Sequence, residues 1–383
     1  MTGEKRTRTA DIILTALFCA FILAVGLLIY ILPQKSVSES ENSTLQTFPE
    51  FNYDSFMHGD FTKELAEFYT DQIPGRDFLV GLKGAFELAL LRGENNDVLV
   101  GKNGHLISKH LYTDKNYDNL KLNALAVKSF EKNAAELGID VTVSVAPRAI
   151  DVLTDHLPAL YSADYAEQAW QTLNEAGLQY TDLRGMMQSM GGAAWFKTDH
   201  HWTADGAFGA YLMLSDKVGY NPFATAIDYE IASEDFRGTT YSDSGIHVLG
   251  GEEFKIPRIE GEEGFLTERI DSTGKTVQSL KGYYDESYLT KKDKYSTYLG
   301  GIYPLIRVTK PGEDREMILL AKDSFSHSLV PYLAQHYDLL LVDTRYYTGS
   351  TLKLAQEYGI KKALVLYGID TMATANLRYL GLK

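Results

Sequence analysis

Residues 318–328, ILLAKDSFSHS, pass from a block of apolar residues into a polar turn, and the reading of that block decides the fold. Met317 to Ala321 reads as a buried strand that runs into a helix, in whose first turn Pro331 is tolerated. Leu339 to Val342 and Ala363 to Leu366 are further short apolar runs, separated by the helical segments Ser328 to His336 and Leu352 to Tyr358. Three such runs alternating with helices predict parallel strands. Upstream, an amphipathic helix near Asn119 to Leu137 leads through Gly138 into Val141 to Val145, a β-branched run that ends at Ala146-Pro147-Arg148. The expected class is therefore an α/β sheet. In such a sheet Ser324 stands at the C-terminal end of a strand and just ahead of a helix, where backbone N–H groups and the helix dipole can stabilise an oxyanion. The plain alternative is a helix cap, a position that Asp and Ser favour for ordinary reasons.

Working outward, residues 228–308 have a different texture. Short alternating runs such as Tyr295 to Tyr298 and turn signals such as Ser272 to Lys275 predict a β-rich insertion that helps to build a cleft. Val98 to Val100 and His105 to Ile107 predict a hairpin around Asn103-Gly104. Two helices are expected before it, one capped by Asp60 and stopped at Pro74-Gly75, the other over Phe78 to Leu91.

At the N-terminus, residues 12–32 form an uncharged apolar run, about long enough to cross a ~30 Å hydrocarbon layer as a helix. Lys5, Arg6 and Arg8 precede it, so the positive-inside rule keeps residues 1–11 cytoplasmic and puts everything after the span outside, at the cell membrane. Residues 33–48 are polar and read as a linker, which leaves 49–383 as the extracytoplasmic domain. A cleaved signal peptide is the competing reading, because Ser36-Val37-Ser38 resembles a cleavage site, but the apolar run exceeds the usual h-region.

The composition bounds the chemistry. A formal net charge of −14 argues against nucleic acid and gives no reason to expect a strongly anionic polymer, so a neutral or weakly charged glycan fits better. The single cysteine, Cys19, lies in the apolar span, so the exported part has no disulfide to stabilise it. The chain holds 25 Tyr and 3 Trp; such rings can stack on sugars, yet they are more often core, and composition alone names no ligand.

The second chemistry-bearing cluster is residues 195–206, WFKTDHHWTADG, followed by an apolar helical stretch from Ala207 to Leu214. Thr203 is a good N-cap, which places Asp199 to Trp202 in the preceding loop. An imidazole is the usual base near neutral pH, and a carboxylate on its other nitrogen fixes the tautomer. A structural turn or a metal site are the competing readings, although no HExxH-type spacing supports zinc.

Together the two clusters resemble the DHHW proteins, named for the tetrapeptide present as Asp199-His200-His201-Trp202. More broadly, the chain is similar to the SGNH-hydrolase-like alginate O-acetylation proteins of the AlgJ and AlgX type. The resemblance also takes in residues 96–104 (NDVLVGKNG), 236–245 (FRGTTYSDSG) and 293–296 (DKYS), in the family's order. It implies a circularly permuted, three-layer α/β/α SGNH-like domain that acts as a serine O-acetyltransferase on a cell-envelope or secreted polysaccharide. Ser324 would be the nucleophile, His201 the base and Asp199 its orienting carboxylate. His200, Trp202, Asp323, Arg148 and Tyr241 would be substrate or supporting residues, with no metal or cofactor. A multipass membrane O-acyltransferase would supply the acetyl groups. Lys322 departs from the Gly of ordinary SGNH enzymes and no oxyanion Asn is identifiable, so only the Ser324 N–H is expected in an oxyanion hole. An esterase or lipase with the same triad and a non-catalytic glycan-binding scaffold remain alternatives.

Membrane anchoring has a direct check. The full-length protein should stay with membranes through a carbonate wash, and a chain starting at Phe48 should be released; a wash that frees the full-length protein would rule the anchor out.

Overall fold

The computed structural model describes residues 2–38, 40–41, 43–223 and 227–382, and for residues 2–7 the backbone alone. The chain divides into two compact units, Met1–Leu90 with Gly245–Val248 and Leu91–Ser244 with Leu249–Lys383.

In the first unit, the helix Thr2–Ile31 contains a 24-residue stretch, Arg8–Ile31, that is long and apolar enough to cross a membrane. The side chains of Lys5 and Arg6, on which the charge argument leans, lie outside the described residues. A two-strand pair, Val37–Ser38 with Ser43–Thr44, follows, and Gln72 donates to the Lys35 and Gln46 carbonyls, so this stretch is fastened to the helices after it. The expected helices are present as Asp60–Asp71 and Arg76–Ala89. Asp60, expected as a cap, is instead the first helical residue, because Gly59 at φ 87° supplies the left-handed junction with the preceding helix Tyr53–His58.

The second unit is built on these strands: β1 (Val98–Val100), β2 (Leu106–Ser108), β3 (Asp140–Ala146), β4 (Thr181–Asp182), β5 (Asp228–Phe236), β6 (Glu252–Arg258), β7 (Leu266–Ile270), β8 (Thr276–Lys281), β9 (Leu305–Thr309), β10 (Met317–Lys322), β11 (Asp338–Val342) and β12 (Lys362–Gly368). Eight form one sheet in the order β8-β7-β9-β11-β10-β12-β3-β4. The strands β11, β10 and β12 are mutually parallel, as the sequence predicts, and β3 and the unexpected short β4 continue them in the same direction. The sheet as a whole is mixed, however, because β7, β8 and β9 add antiparallel to its edge at β11. Much of the expected insertion thus extends the main sheet, and β5 with β6 forms a separate hairpin.

Alternation along the central strands explains the layering. Ile318, Leu320, Leu339, Leu341, Leu364 and Leu366 join a core with Ala207, Ala210, Tyr211 and Leu214 of the helix Ala204–Val218. Their neighbours Leu319, Ala321, Leu340, Val342, Ala363 and Val365 join a second core with Leu120, Val127 and Phe130 of the helix Asp114–Glu136. Strands buried on both faces need apolar residues at every position, hence the unbroken runs in the sequence. The result is an α/β/α sandwich. The helix Asp114–Glu136 begins earlier than its periodicity suggests, because Thr113 and Asn116 form a reciprocal capping box. After β10 the chain makes a 3₁₀ turn, Ser324–Leu329, before one short helical segment, Val330–Leu333, in place of the longer expected helix.

Asn123 fastens the C-terminus to this frame. Its buried amide donates to Met372 O and Ala375 O at 2.8 Å each and accepts from Leu377 N at 3.0 Å. Asn123→Leu strips partners from these backbone groups and should cost about 2–4 kcal/mol, read as a lower midpoint in chemical denaturation. An unchanged midpoint would show that these bonds contribute nothing.

Candidate active site

Ser324 is the first residue of the 3₁₀ turn, immediately beyond the C-terminal end of β10. Asp323 fixes that turn. Its Oδ1 accepts from Phe325 N at 3.0 Å and its Oδ2 from Gly368 N at 2.7 Å, so one buried carboxylate couples the serine to the end of neighbouring β12.

The loop carrying Asp199 is closed at its neck by a bridge between Trp195 and Trp202 and by Thr203 N donating to Ala194 O at 2.9 Å. The helix that follows is capped by Thr203, as expected, with its hydroxyl accepting from Gly206 N. Trp202 then stitches this loop to the serine turn, its indole N–H donating to Phe325 O at 3.1 Å and Ser328 Oγ at 2.8 Å. Glu252 accepts from Lys197 N and Thr198 N on the loop's other side.

These anchors bring together residues 123 positions apart. His201 Nε2 lies 2.8 Å from Ser324 Oγ, and His201 Nδ1 lies 2.5 Å from Asp199 Oδ1. Asp199 also accepts from His201 N at 3.0 Å, Thr239 N at 2.8 Å and Thr239 Oγ1 at 3.1 Å. Burial alone would raise its carboxyl, but the two histidines and the Thr239 N–H hold it well below the usual carboxylate range. Tyr295, from the insertion, stacks on the His201 ring at 3.8 Å and 5°, while its hydroxyl donates to Ser324 O at 3.1 Å. Phe325 approaches the same ring at 5.1 Å. The imidazole is therefore fixed in both position and plane.

His200 turns elsewhere. Its Nδ1 lies 2.5 Å from Thr239 Oγ1 and 4.0 Å from Asp199 Oδ1, and burial together with neighbouring His201 pushes it down to about 4. Asp199, His200 and His201 place a donor atom each within 4.8 Å of one another, as metal ligands would. Both His201 nitrogens are nevertheless committed to Asp199 and Ser324, an arrangement suited to proton transfer.

The remaining expected residues serve the frame. Arg148 is buried against Asp151 at 2.6 Å and donates to Ala166 O at 3.1 Å. Tyr241 packs with Val98 and Leu106 of the β1–β2 hairpin, while its N–H donates to Thr198 O. Lys322, in place of a glycine, is fully buried with its Nζ 2.7 Å from His327 Nε2 and 3.5 Å from Asp343 Oδ2. Burial lowers both the Lys322 amine and the His327 ring.

Sequence reasoning assigned no role to Gly238, Thr239, Tyr295 or Glu252. The first two lie in the FRGTTYSDSG stretch and Tyr295 in DKYS, so the motifs were visible while their contacts were not. Glu252 carried no signal. Gly238 has a steric reason: a Cβ there would stand 2.3 Å from Asp199 Cβ and Oδ2. Gly238→Ala should displace Asp199, lower the reactivity of Ser324 toward an activated ester by about 100-fold or more and cost about 1–3 kcal/mol. Thr239→Ala keeps its N–H and should lose less. Wild-type reactivity in Gly238→Ala would show that Asp199 does not depend on this contact.

Residues 98–235 match the family described as the SGNH hydrolase-like domain of the acetyltransferase AlgX, and residues 171–342 match the DHHW protein family. The probable alginate O-acetylase AlgJ of Pseudomonas fluorescens is 24% identical over 224 residues, covering 55% of this chain and 53% of its own. The chain thus spans about half the length of the curated relatives it matches. A DHHW family protein from Eubacterium siraeum superposes with a TM-score of 0.61 at 18% identity, over 75% of this chain and 95% of that one. PatB1 of Bacillus cereus, solved with a sulfonyl adduct, superposes at 0.59 and 19% identity, over 75% and 100%. The second unit has an α/β fold similar to that of the DHHW family protein, and its sequence matches parts of the DHHW and SGNH hydrolase-like AlgX families.

Proposed function

We propose that this chain is an extracytoplasmic serine O-acetyltransferase that modifies a cell-envelope or secreted polysaccharide. The observation that carries the reading is the continuous Ser324–His201–Asp199 hydrogen-bond chain at the C-terminal edge of the parallel strands. His201 Nε2 takes the Ser324 proton as Oγ attacks the acetyl carbonyl of the donor, and returns it to the leaving group. In the second half, a sugar hydroxyl gives its proton to His201 as its oxygen bonds to the acetyl carbon. The bond to Ser324 Oγ breaks, and the serine regains the proton. Asp199 stays ionised and holds the ring in the correct tautomer. The Ser324 N–H, which meets no protein acceptor among the described residues, is the first candidate for the oxyanion hole.

The same reading puts residues 1–11 in the cytoplasm, 12–32 in the membrane and 49–383 outside. Because acetyl-CoA is cytoplasmic, an acetyl donor has to be delivered across the membrane, the task assigned here to a multipass O-acyltransferase partner. The alginate O-acetylase name of the AlgJ relative supports a polysaccharide as acceptor.

The test is acetylation of Ser324 by p-nitrophenyl acetate, followed by mass spectrometry, with chitopentaose then offered as acceptor. The acceptor should shorten the life of the acetyl-enzyme and itself become acetylated. Ser324→Ala and His201→Ala should each lose labelling by about 10³-fold or more, with Asp199→Ala losing less, because the members act as a unit. His200→Ala should still label. Release to water alone would make the protein an esterase, and absence of labelling would leave a binding scaffold. If His200→Ala abolishes labelling and His201→Ala permits it, the base is the neighbouring histidine.

A further inference from the structure

A second histidine–carboxylate pair stands at the same edge of the sheet. Asp370 follows β12, whose last residue, Gly368, donates from its N–H to Asp323 beside the nucleophile. His110 arrives on the loop after β2, and its Nδ1 lies 2.8 Å from Asp370 Oδ2. Tyr112 donates its hydroxyl to Asp370 Oδ1. The pair is close enough to the Asp199–Trp202 loop for His110 and Asp370 both to act on the titration of His200, and His110 acts on that of Asp243.

The loop holds His110 in an unusual state. Its φ of 49° is left-handed, a conformation that costs a non-glycine residue free energy and that persists only where the surroundings fix it. They do so on both sides. Lys109 is bound through its side chain to Glu94 and Asp97 and through its carbonyl to Tyr165, while Thr113 is locked in the capping box with Asn116. The side chains of His110 and Asp370 nevertheless keep 24% and 29% of their exposure, so the pair faces solvent. With Nδ1 on Asp370, Nε2 meets no hydrogen-bond partner among the described residues. Each Asp370 oxygen still has a lone pair after serving Tyr112 and His110. Although burial would raise it, His110 and then Arg148 hold the Asp370 carboxyl down at about 2, so it accepts hydrogen bonds throughout the physiological range.

We propose that His110 and Asp370 bind the acceptor, holding by hydrogen bonds to its hydroxyls the neutral sugar ring that attacks acetyl-Ser324. The idea rests on the acyl-transfer reading above and adds to it the acceptor's place and chemistry. A fixed carboxylate favours hydroxyl donors over uronate rings, in keeping with the acidic chain. Neither residue takes the transferred proton, which goes to His201.

The test uses the full-length protein in detergent, acetylated on Ser324 by p-nitrophenyl acetate, with deacetylation followed against chitopentaose concentration. In His110→Ala and Asp370→Asn the half-saturating chitopentaose concentration should rise by about tenfold or more, the scale of a lost hydrogen bond to a charged group. The rate of Ser324 acetylation should fall far less. His110→Gln, which keeps polar atoms at the site, should recover part of the affinity. The inference fails if acetylation and acceptor use decline in parallel, since the pair would then only support the serine. It also fails if acceptor saturation is unchanged in both variants. If chitopentaose leaves even the wild-type acetyl-enzyme's lifetime unaltered, the transferase reading falls and takes this inference with it.

Discussion

The carboxylate of Asp199 is almost closed to solvent, with 2% exposure, and an ion so placed persists only when its lone pairs are filled. The donors that fill them come from two parts of the chain. His201 supplies its own N–H and ring from the same loop, and Thr239 supplies an N–H and a hydroxyl from the segment after β5. Satisfying the charge therefore fixes where the segment around Gly238 crosses the loop, and the approach is so close that no side chain fits there. The imidazole, once set, has one free nitrogen, and it meets Ser324.

A second carboxylate plays the matching part on the nucleophile side. Asp323 is not hydrogen-bonded to the His201 ring; it spans from Phe325 N to Gly368 N and so ties two parallel strand ends together. Gly368 has reason to be glycine, since a Cβ would come within 2.9 Å of Phe325 and 3.3 Å of Asp323. Beneath the turn, Lys322 reaches His327 and Asp343, and Asp343 holds Arg345 at 2.7 Å, so the polar atoms under the serine are mutually satisfied.

What was legible in the sequence was local. The double-sided burial of β10, β11 and β12 appeared as unbroken apolar runs, the cap at Thr203 followed from residue type, and Asp-x-His beside a strand-end serine suggested a pair of partners. What was illegible depended on long-range register. Nothing near Leu266–Ile270 or Leu305–Thr309 tells whether those strands form their own sheet or extend an existing one, because both outcomes demand the same alternation. Tyr295 looks like any half-buried aromatic until the His201 ring is found parallel to it. Arg148, expected as a substrate or supporting residue, has its partner three residues away in Asp151.

The bond from Gly368 to Asp323 also bears on when the protein acquires reactivity. Strand β12 is near the end of the chain and pairs in register with β3, more than two hundred residues earlier. Contacts that distant in sequence form slowly, since much of the chain has to be ordered before they are gained. A chain synthesised from its N-terminus would thus carry the Asp199 loop long before the strand that seats its serine. Until β12 is in place the serine turn lacks this anchor, so an incompletely folded chain lacks the assembled Ser324–His201–Asp199 relay.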